Sequence, residues 1–139
     1  MAYDPNNVFA KILRDEIPAA KVYEDQHSLA FMDAMPQCDG HTLVIPKTPA
    51  EDFLDVPPEA LGELIKTTQR VAKAVYKAFQ PAGLRIMQFT KPAAGQTVFH
   101  LHFHIIPAYQ GMELRMHAKE LADRAKLAEH AARIRAALE

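Results

Sequence analysis

The chain predicts an α+β domain built around an antiparallel sheet, and three features of its 139 residues carry that prediction. Short apolar strands follow one another across turns with no helix between them, the arrangement of antiparallel neighbours. One long stretch between Leu61 and Phe79 changes to helical spacing. A later run, Phe99-His100-Leu101-His102-Phe103-His104-Ile105-Ile106-Pro107, alternates with the two-residue period of a strand.

Taken in order, Asn7 stands where it can cap a short helix over residues 8–14, which ends before Ile17-Pro18. Residues 21–24 and 28–32 read as two strands, with Asp25-Gln26-His27 as the hairpin turn. Pro36, Asp39 and Gly40 mark a loop, and His41-Thr42-Leu43-Val44-Ile45-Pro46 is a strongly apolar strand. After Pro57-Pro58, Leu61, Leu64, Ile65, Thr68, Val71, Ala72, Val75 and Phe79 recur at spacings of three and four. This amphipathic helix is stopped by Pro81 and Gly83. Residues 84–89 form a strand, 91–95 a loop, and 99–106 the histidine strand.

From about His117 to Glu139 the tail is rich in Ala, Lys, Glu, Arg and Leu. Leu127, Ala131, Ile134 and Leu138 make a narrow apolar stripe on one helix, packed on the body or on a second subunit. Residues 1–112 are expected to be the main domain, and 113–139 a helical extension on the same domain. Pro57-Pro58 is a local break, and no internal repeat interrupts this order.

Composition excludes some classes of function. The formal net charge is −1, so no basic excess stands ready for a nucleic-acid backbone, although small phosphorylated ligands remain open. Cys38 is the only cysteine, which rules out an intrachain disulfide and a Cys-rich zinc site. No basic-then-apolar leader and no membrane-length apolar run are visible, so the expected location is the cytoplasm.

As a strand, residues 99–106 project His100, His102 and His104 from one face, and sink Leu101, Phe103 and Ile105 into a core from the other. One reading is structural, each ring satisfied by a neighbouring carbonyl, but that needs three coincidences. A second is zinc, which takes neutral imidazoles; the nearby sequence offers no carboxylate to orient them. A third is nucleophilic catalysis, in which an imidazole attacks phosphorus and the flanking rings hold oxygens and a leaving group. The preceding Gly95-Gln96-Thr97 fits that third reading, because Gly95 admits an anion close to the backbone while Gln96 and Thr97 supply polar groups.

His100-Leu101-His102-Phe103-His104-Ile105-Ile106 resembles the signature of the histidine triad (HIT) superfamily at every position. Val8-Phe9-Ala10-Lys11-Ile12, Glu16-Ile17-Pro18-Ala19, Ala30-Phe31-Met32-Asp33, residues 41–47 and Gly95-Gln96-Thr97-Val98-Phe99 are similar to its HINT-like branch. The resemblance spans residues 7 to about 107 and implies a five-stranded antiparallel sheet, with one long and one short helix on one side of it plus a C-terminal helix. It implies a homodimer in which two sheets join near residues 84–89 and the long helix. It also implies a hydrolase or transferase acting at the α-phosphate of purine nucleoside phosphoramidates, carrying an AMP or GMP moiety, with no cofactor or metal required. The alternatives are hydrolysis of dinucleoside polyphosphates and a nucleotide-binding regulatory module with little turnover.

By that resemblance His102 is the nucleophile, His104 contacts phosphate and leaving group, His100 orients His102 through its carbonyl, and His41 supports the triad. Asp33 binds ribose; Val8, Phe9, Ile12, Ile17 and Leu43 line the base pocket; Gly95, Gln96 and Thr97 meet the phosphate. Three departures stand out. Phe89 occupies a position where the branch often has asparagine, which puts Gln88 or Thr90 forward as the replacement contact. Asn7 and Ala10 stand where some relatives carry zinc-binding cysteines, so no zinc is expected there. The tail, with Arg115 and His117, replaces a shorter segment that shapes the leaving-group side. His27, His117 and His130 read as surface histidines.

Overall fold

The computed structural model describes residues 3–112 and 120–139. Its elements are α1 (Val8–Leu13), β1 (Lys21–Glu24), β2 (Ser28–Met32), β3 (Thr42–Pro46), α2 (Pro58–Phe79), β4 (Gly83–Met87), β5 (Phe103–Ala108) and α3 (Arg124–Ala137). The five strands form one antiparallel sheet, as the family resemblance implies, and their order is β1-β2-β3-β5-β4. Among the described residues no helix is long and apolar enough to cross a membrane.

Every residue of β2 and β3 is buried, because both faces of the central sheet are covered. Ala30, Met32, Val44, Phe103 and Ile105 meet Leu64, Val71 and Val75 of α2, together with Leu127 and Ile134 of α3. Leu29, Phe31, Leu43 and Ile45 turn the other way and pack with Phe9 and Ile12 of α1. This corrects the expectation that the helices lie on one side: strict alternation in β2 and β3 leaves a second apolar face, and α1 partly covers it. The Asn7 side chain caps α1 by accepting the amide hydrogen of Ala10 at 2.9 Å.

Three further boundaries differ from the sequence reading, the first being β4, which ends at Met87 rather than Phe89. The histidine strand begins at Phe103, so of the three histidines only His104 lies within it. Pairing with β3 ends at Val44 and Phe103, and the amide of Leu101 turns instead to the carbonyl of Ala50, 2.9 Å away. The tail helix starts at Arg124, capped by Asp123, and residues 120–123 are not helical. Residues 113–119, including Arg115 and His117, lie outside the described residues. Within α3, His130 is buried edge-on against Phe79 rather than at the surface, because it falls on the same stripe as Leu127, Ala131 and Ile134. His27 is exposed.

Gly40 makes the turn that delivers His41 to the sheet. It adopts φ +91°, and a Cβ there would stand 3.1 Å from both Phe79 and Pro107, so backbone freedom and close packing both require glycine.

Candidate active site

The α1 face of the sheet opens into a cavity of about 840 Å³, large among small-molecule sites, which run from about 300 to 1,000 Å³. Val8, Phe9, Ile12, Ile17 and Leu43 give it an apolar wall, and His41, His102, His104 and Asp33 give it polar ones.

The hydrogen bonds fix the tautomer of each buried ring. His102 places Nδ1 2.8 Å from the carbonyl oxygen of His100. A carbonyl only accepts, so Nδ1 carries the hydrogen and Nε2 keeps its lone pair. The Phe9 ring stands edge-on to His102 with centroids 4.9 Å apart and fixes its plane. Burial pulls the His102 imidazole down to about 4, which keeps it neutral at physiological pH.

His41 and His104 form a second unit. Nδ1 of His41 accepts the backbone hydrogen of Gln37 at 2.9 Å, so its proton sits on Nε2. That Nε2 lies 2.9 Å from Nδ1 of His104 and 3.4 Å from Oδ2 of Asp33. His104 therefore accepts at Nδ1 and, as a neutral ring, carries its hydrogen on Nε2. Burial, aided by repulsion from His102, takes the His41 pKa down to about 4. The His102 and His104 rings are neighbours, with centroids 5.1 Å apart.

Asp33, His41 and His104 bring one ligand atom each within 4.8 Å of one another, close enough to raise the question of a metal. The donor set does not suit one. To ligate through Nε2, His41 would need its proton on Nδ1, directed at the Gln37 N–H, so that two donors would face each other. The trio is better described as a hydrogen-bonded chain.

Of the residues singled out from sequence, Val8, Phe9, Ile12, Ile17, Asp33, His41, Leu43, Gly95, Thr97, His102 and His104 line this cavity. Three do not. His100 is wholly buried behind it, with Nε2 donating to the carbonyl of Pro46 at 2.8 Å. Gln96 is turned inward: its amide donates to the carbonyls of Glu51 and Val98 and accepts from the Lys91 amide, so it braces the loop instead of meeting ligand. Gln88 bonds the Thr90 hydroxyl and the Phe89 carbonyl, and neither Gln88 nor Thr90 reaches the cavity. Phe89 itself does, with its ring centroid 5.5 Å from that of His104.

The cavity also holds residues that sequence reasoning missed. The Ala122 amide bonds the Ala34 carbonyl at 2.9 Å, which draws the stretch before α3 against the loop after β2. Leu121, Ala122 and Arg124 thereby join the wall. Only the capping Asp123 marks this place in the sequence. Tyr3, which touches His100, carries no sequence signal at all.

Comparison with known proteins places this geometry. The HIT domain matches residues 14–111. The chain belongs to the HIT family. The Bacillus subtilis HIT-family member named protein hit is 44% identical over 104 residues, which cover 75% of this chain and 72% of that one. A Hit-like protein of Bartonella henselae, described as involved in cell-cycle regulation and crystallised with an unknown ligand, superposes with a TM-score of 0.94 at 52% identity, covering 99% and 100% of the two chains. A hypothetical histidine triad nucleotide-binding protein of Sulfolobus tokodaii superposes at 0.85 with 32% identity, covering 93% and 89%. In this HIT protein the long helix, the five-stranded sheet and α3 all fall within the part shared with the Bartonella protein.

Proposed function

We propose that this HIT protein cleaves purine nucleoside phosphoramidates, or closely related nucleotidyl substrates, at the α-phosphate through a nucleotidyl-histidine intermediate. The observation that carries the reading is the His102 ring, neutral and held by the His100 carbonyl so that its lone pair resides on Nε2. Nε2 of His102 attacks phosphorus and the bond to the leaving amine breaks. His104, whose hydrogen is set on Nε2 by His41, donates to a phosphate oxygen or to the departing atom. Water then attacks phosphorus and breaks the bond to Nε2 of His102, and its proton replaces on His104 the one that left with the amine.

The rest of the cavity fits a nucleotide in the same way. Asp33 offers a carboxylate to ribose hydroxyls, and the Phe9, Ile12 and Leu43 side chains offer an apolar slot to a base. Gly95, at φ +109°, brings no side chain between backbone and phosphate, and Thr97 adds a hydroxyl. The nucleotide-binding description of the Sulfolobus relative accords with this. No cofactor or metal enters the scheme. We further propose a cytoplasmic homodimer joined at the open edge of β4, where Ile86 is half exposed.

A second reading, hydrolysis of dinucleoside polyphosphates, is favoured by Arg124. Arg124 lines the cavity, and its guanidinium has no hydrogen bond or ion pair among the described residues. A third, a nucleotide-binding regulatory module, draws on Phe89, an apolar ring against His104.

The deciding experiment incubates the protein, with EDTA present, with an adenosine phosphoramidate of a fluorescent amine, beside His102→Ala. Release of amine and AMP by the wild type and its abolition by the substitution is the expected result. AMP binding without release would move the protein to the second or third reading.

A further inference from the structure

We propose that Tyr3 is a positioning residue for this site: its hydroxyl locks the His100 ring and, through the His100 carbonyl, the orientation of His102. The hydroxyl lies 2.5 Å from Nδ1 of His100, and the two rings meet edge to face with centroids 5.6 Å apart. The direction of the bond follows from the other side of the ring. Nε2 of His100 is 2.8 Å from the Pro46 carbonyl, which only accepts, so Nε2 holds the hydrogen and Nδ1 the lone pair. Tyr3 is the donor that satisfies it. Without that donor, a wholly buried ring nitrogen would be left unpaired.

The chain on both sides of the contact is built to hold it. Pro46 ends β3 and has no N–H, and its carbonyl is taken by the His100 ring. Tyr3 is led into place by a turn in which Asp4 accepts from the Asn6 amide through its side chain and from Asn7 through its carbonyl. Asn7 in turn caps α1, whose Phe9 packs against His102. One short segment thus holds the triad at two points: Phe9 on the ring of His102, and Tyr3 on the residue whose carbonyl orients it. The groups that face His100 are Tyr3, the Pro46 carbonyl of β3 and the neighbouring His102; no carboxylate interacts with it among the described residues.

Tyr3 does not line the cavity, so its hydroxyl acts on the site through its bond to His100. The inference rests on the proposed role of His102 for its kinetic arm, while a second arm needs no turnover. Nitrogen-resolved NMR of the full chain should show two slowly exchanging ring hydrogens, His100 Nε2–H and His102 Nδ1–H. In Tyr3→Phe both should exchange at least about 10-fold faster while backbone amides of β2 and β3 keep their protection. With the phosphoramidate, kcat should fall about 10- to 100-fold at unchanged KM, the size of effect seen when an orienting partner is removed from a working histidine. Tyr3→Ala should be no worse than Tyr3→Phe. Wild-type ring exchange in Tyr3→Phe, or a defect confined to Tyr3→Ala, would overturn the inference in favour of packing. Loss of β2 and β3 protection in both variants would overturn it in favour of a purely structural contact. Normal ring exchange in the wild type with no turnover would count against the proposed activity and leave the exchange comparison to decide on Tyr3.

Discussion

Nε2 of His41 lies 2.9 Å from Nδ1 of His104, and the proton between them belongs to His41, because its own Nδ1 already accepts from the Gln37 amide. A cationic His41 would place a second proton against that amide. Burial acts in the same direction, and both His41 and His102 are held down to about 4.

This makes stability depend on pH in a definite window. Unfolded histidines titrate near 6.5, so between about 6.5 and 4 the unfolded chain binds protons that the folded chain refuses. Folding free energy should be flat on this account above about pH 6.5, fall as pH drops to about 4, and level below that. Each of the two rings contributes about 3 kcal/mol across the window. Urea unfolding at pH 7 and pH 5 measures it, and the loss should set in well above the range where carboxylates protonate. His102→Gln should flatten the slope. Equal stability at pH 7 and pH 4.5 would contradict the assignment.

Gln96 looks like a ligand contact in the sequence and behaves as a brace in the fold. It is 3% exposed and ties Lys91, Glu51 and Val98 together. Lys91 needs that tie, since it holds φ +78° and ψ 153°, a region otherwise kept for glycine. Its ammonium also pairs with the buried Asp52 at 2.8 Å. Gln96→Ala should cost about 2–3 kcal/mol by leaving buried backbone groups unpaired. Thermal melting should register a drop of roughly 10 °C. A variant as stable as wild type would return Gln96 to the role of a ligand contact.

The sheet and the long helix were legible because each has a period that only one backbone geometry satisfies, whereas of the three alternating histidines only His104 lies on a strand. Leu64, Val71 and Val75 can share a face only on a helix, and Leu101, Phe103 and Ile105 fall together on the α2 side of the sheet. Harder to read was everything that depends on which residues meet across the fold. Alternation in β2 and β3 gives two apolar faces but does not say that α1 takes one of them. Tyr3 and His100 are 97 positions apart and neither carries a mark of the other. Gln96 and Thr97 are adjacent polar residues, and Gln96 turns inward because the fold brings the Glu51 carbonyl behind the loop, beside the Val98 carbonyl and the Lys91 amide. At the tail, Ala, Leu, Lys and Glu are equally at home before and within a helix, so the start at Arg124 was invisible apart from Asp123.

Arg124 separates the two enzymatic readings. Arg124 lines the cavity together with Asp33, and its guanidinium is not engaged by another described residue. A substrate with additional phosphates gives it an anionic partner beyond the α-phosphate; an adenosine phosphoramidate of a neutral amine has no such second anion. Arg124→Ala should raise KM for a dinucleoside polyphosphate about 10-fold, the size of one charge-assisted contact, and leave the phosphoramidate nearly unaffected. Steady-state kinetics on both substrates reads this directly. Equal KM changes for the two would remove Arg124 as a discriminator.

The open edge of β4 tests the proposed dimer. Among the described residues β4 pairs only with β5, leaving the backbone groups of its other side without a strand partner, and Ile86 stands 48% exposed on it. An apolar edge strand left bare invites pairing with another strand, and joining two copies edge to edge would satisfy both. A lysine at this position adds charge where two copies would bring it together twice, by symmetry. Ile86→Lys should therefore turn a dimer into a monomer in sedimentation at micromolar concentration, with the fold retained by circular dichroism. Because β4 continues into the segment bearing Phe89, the monomer should also show weakened turnover. A wild-type chain that sediments as a monomer over the same range would rule the edge out as a subunit contact.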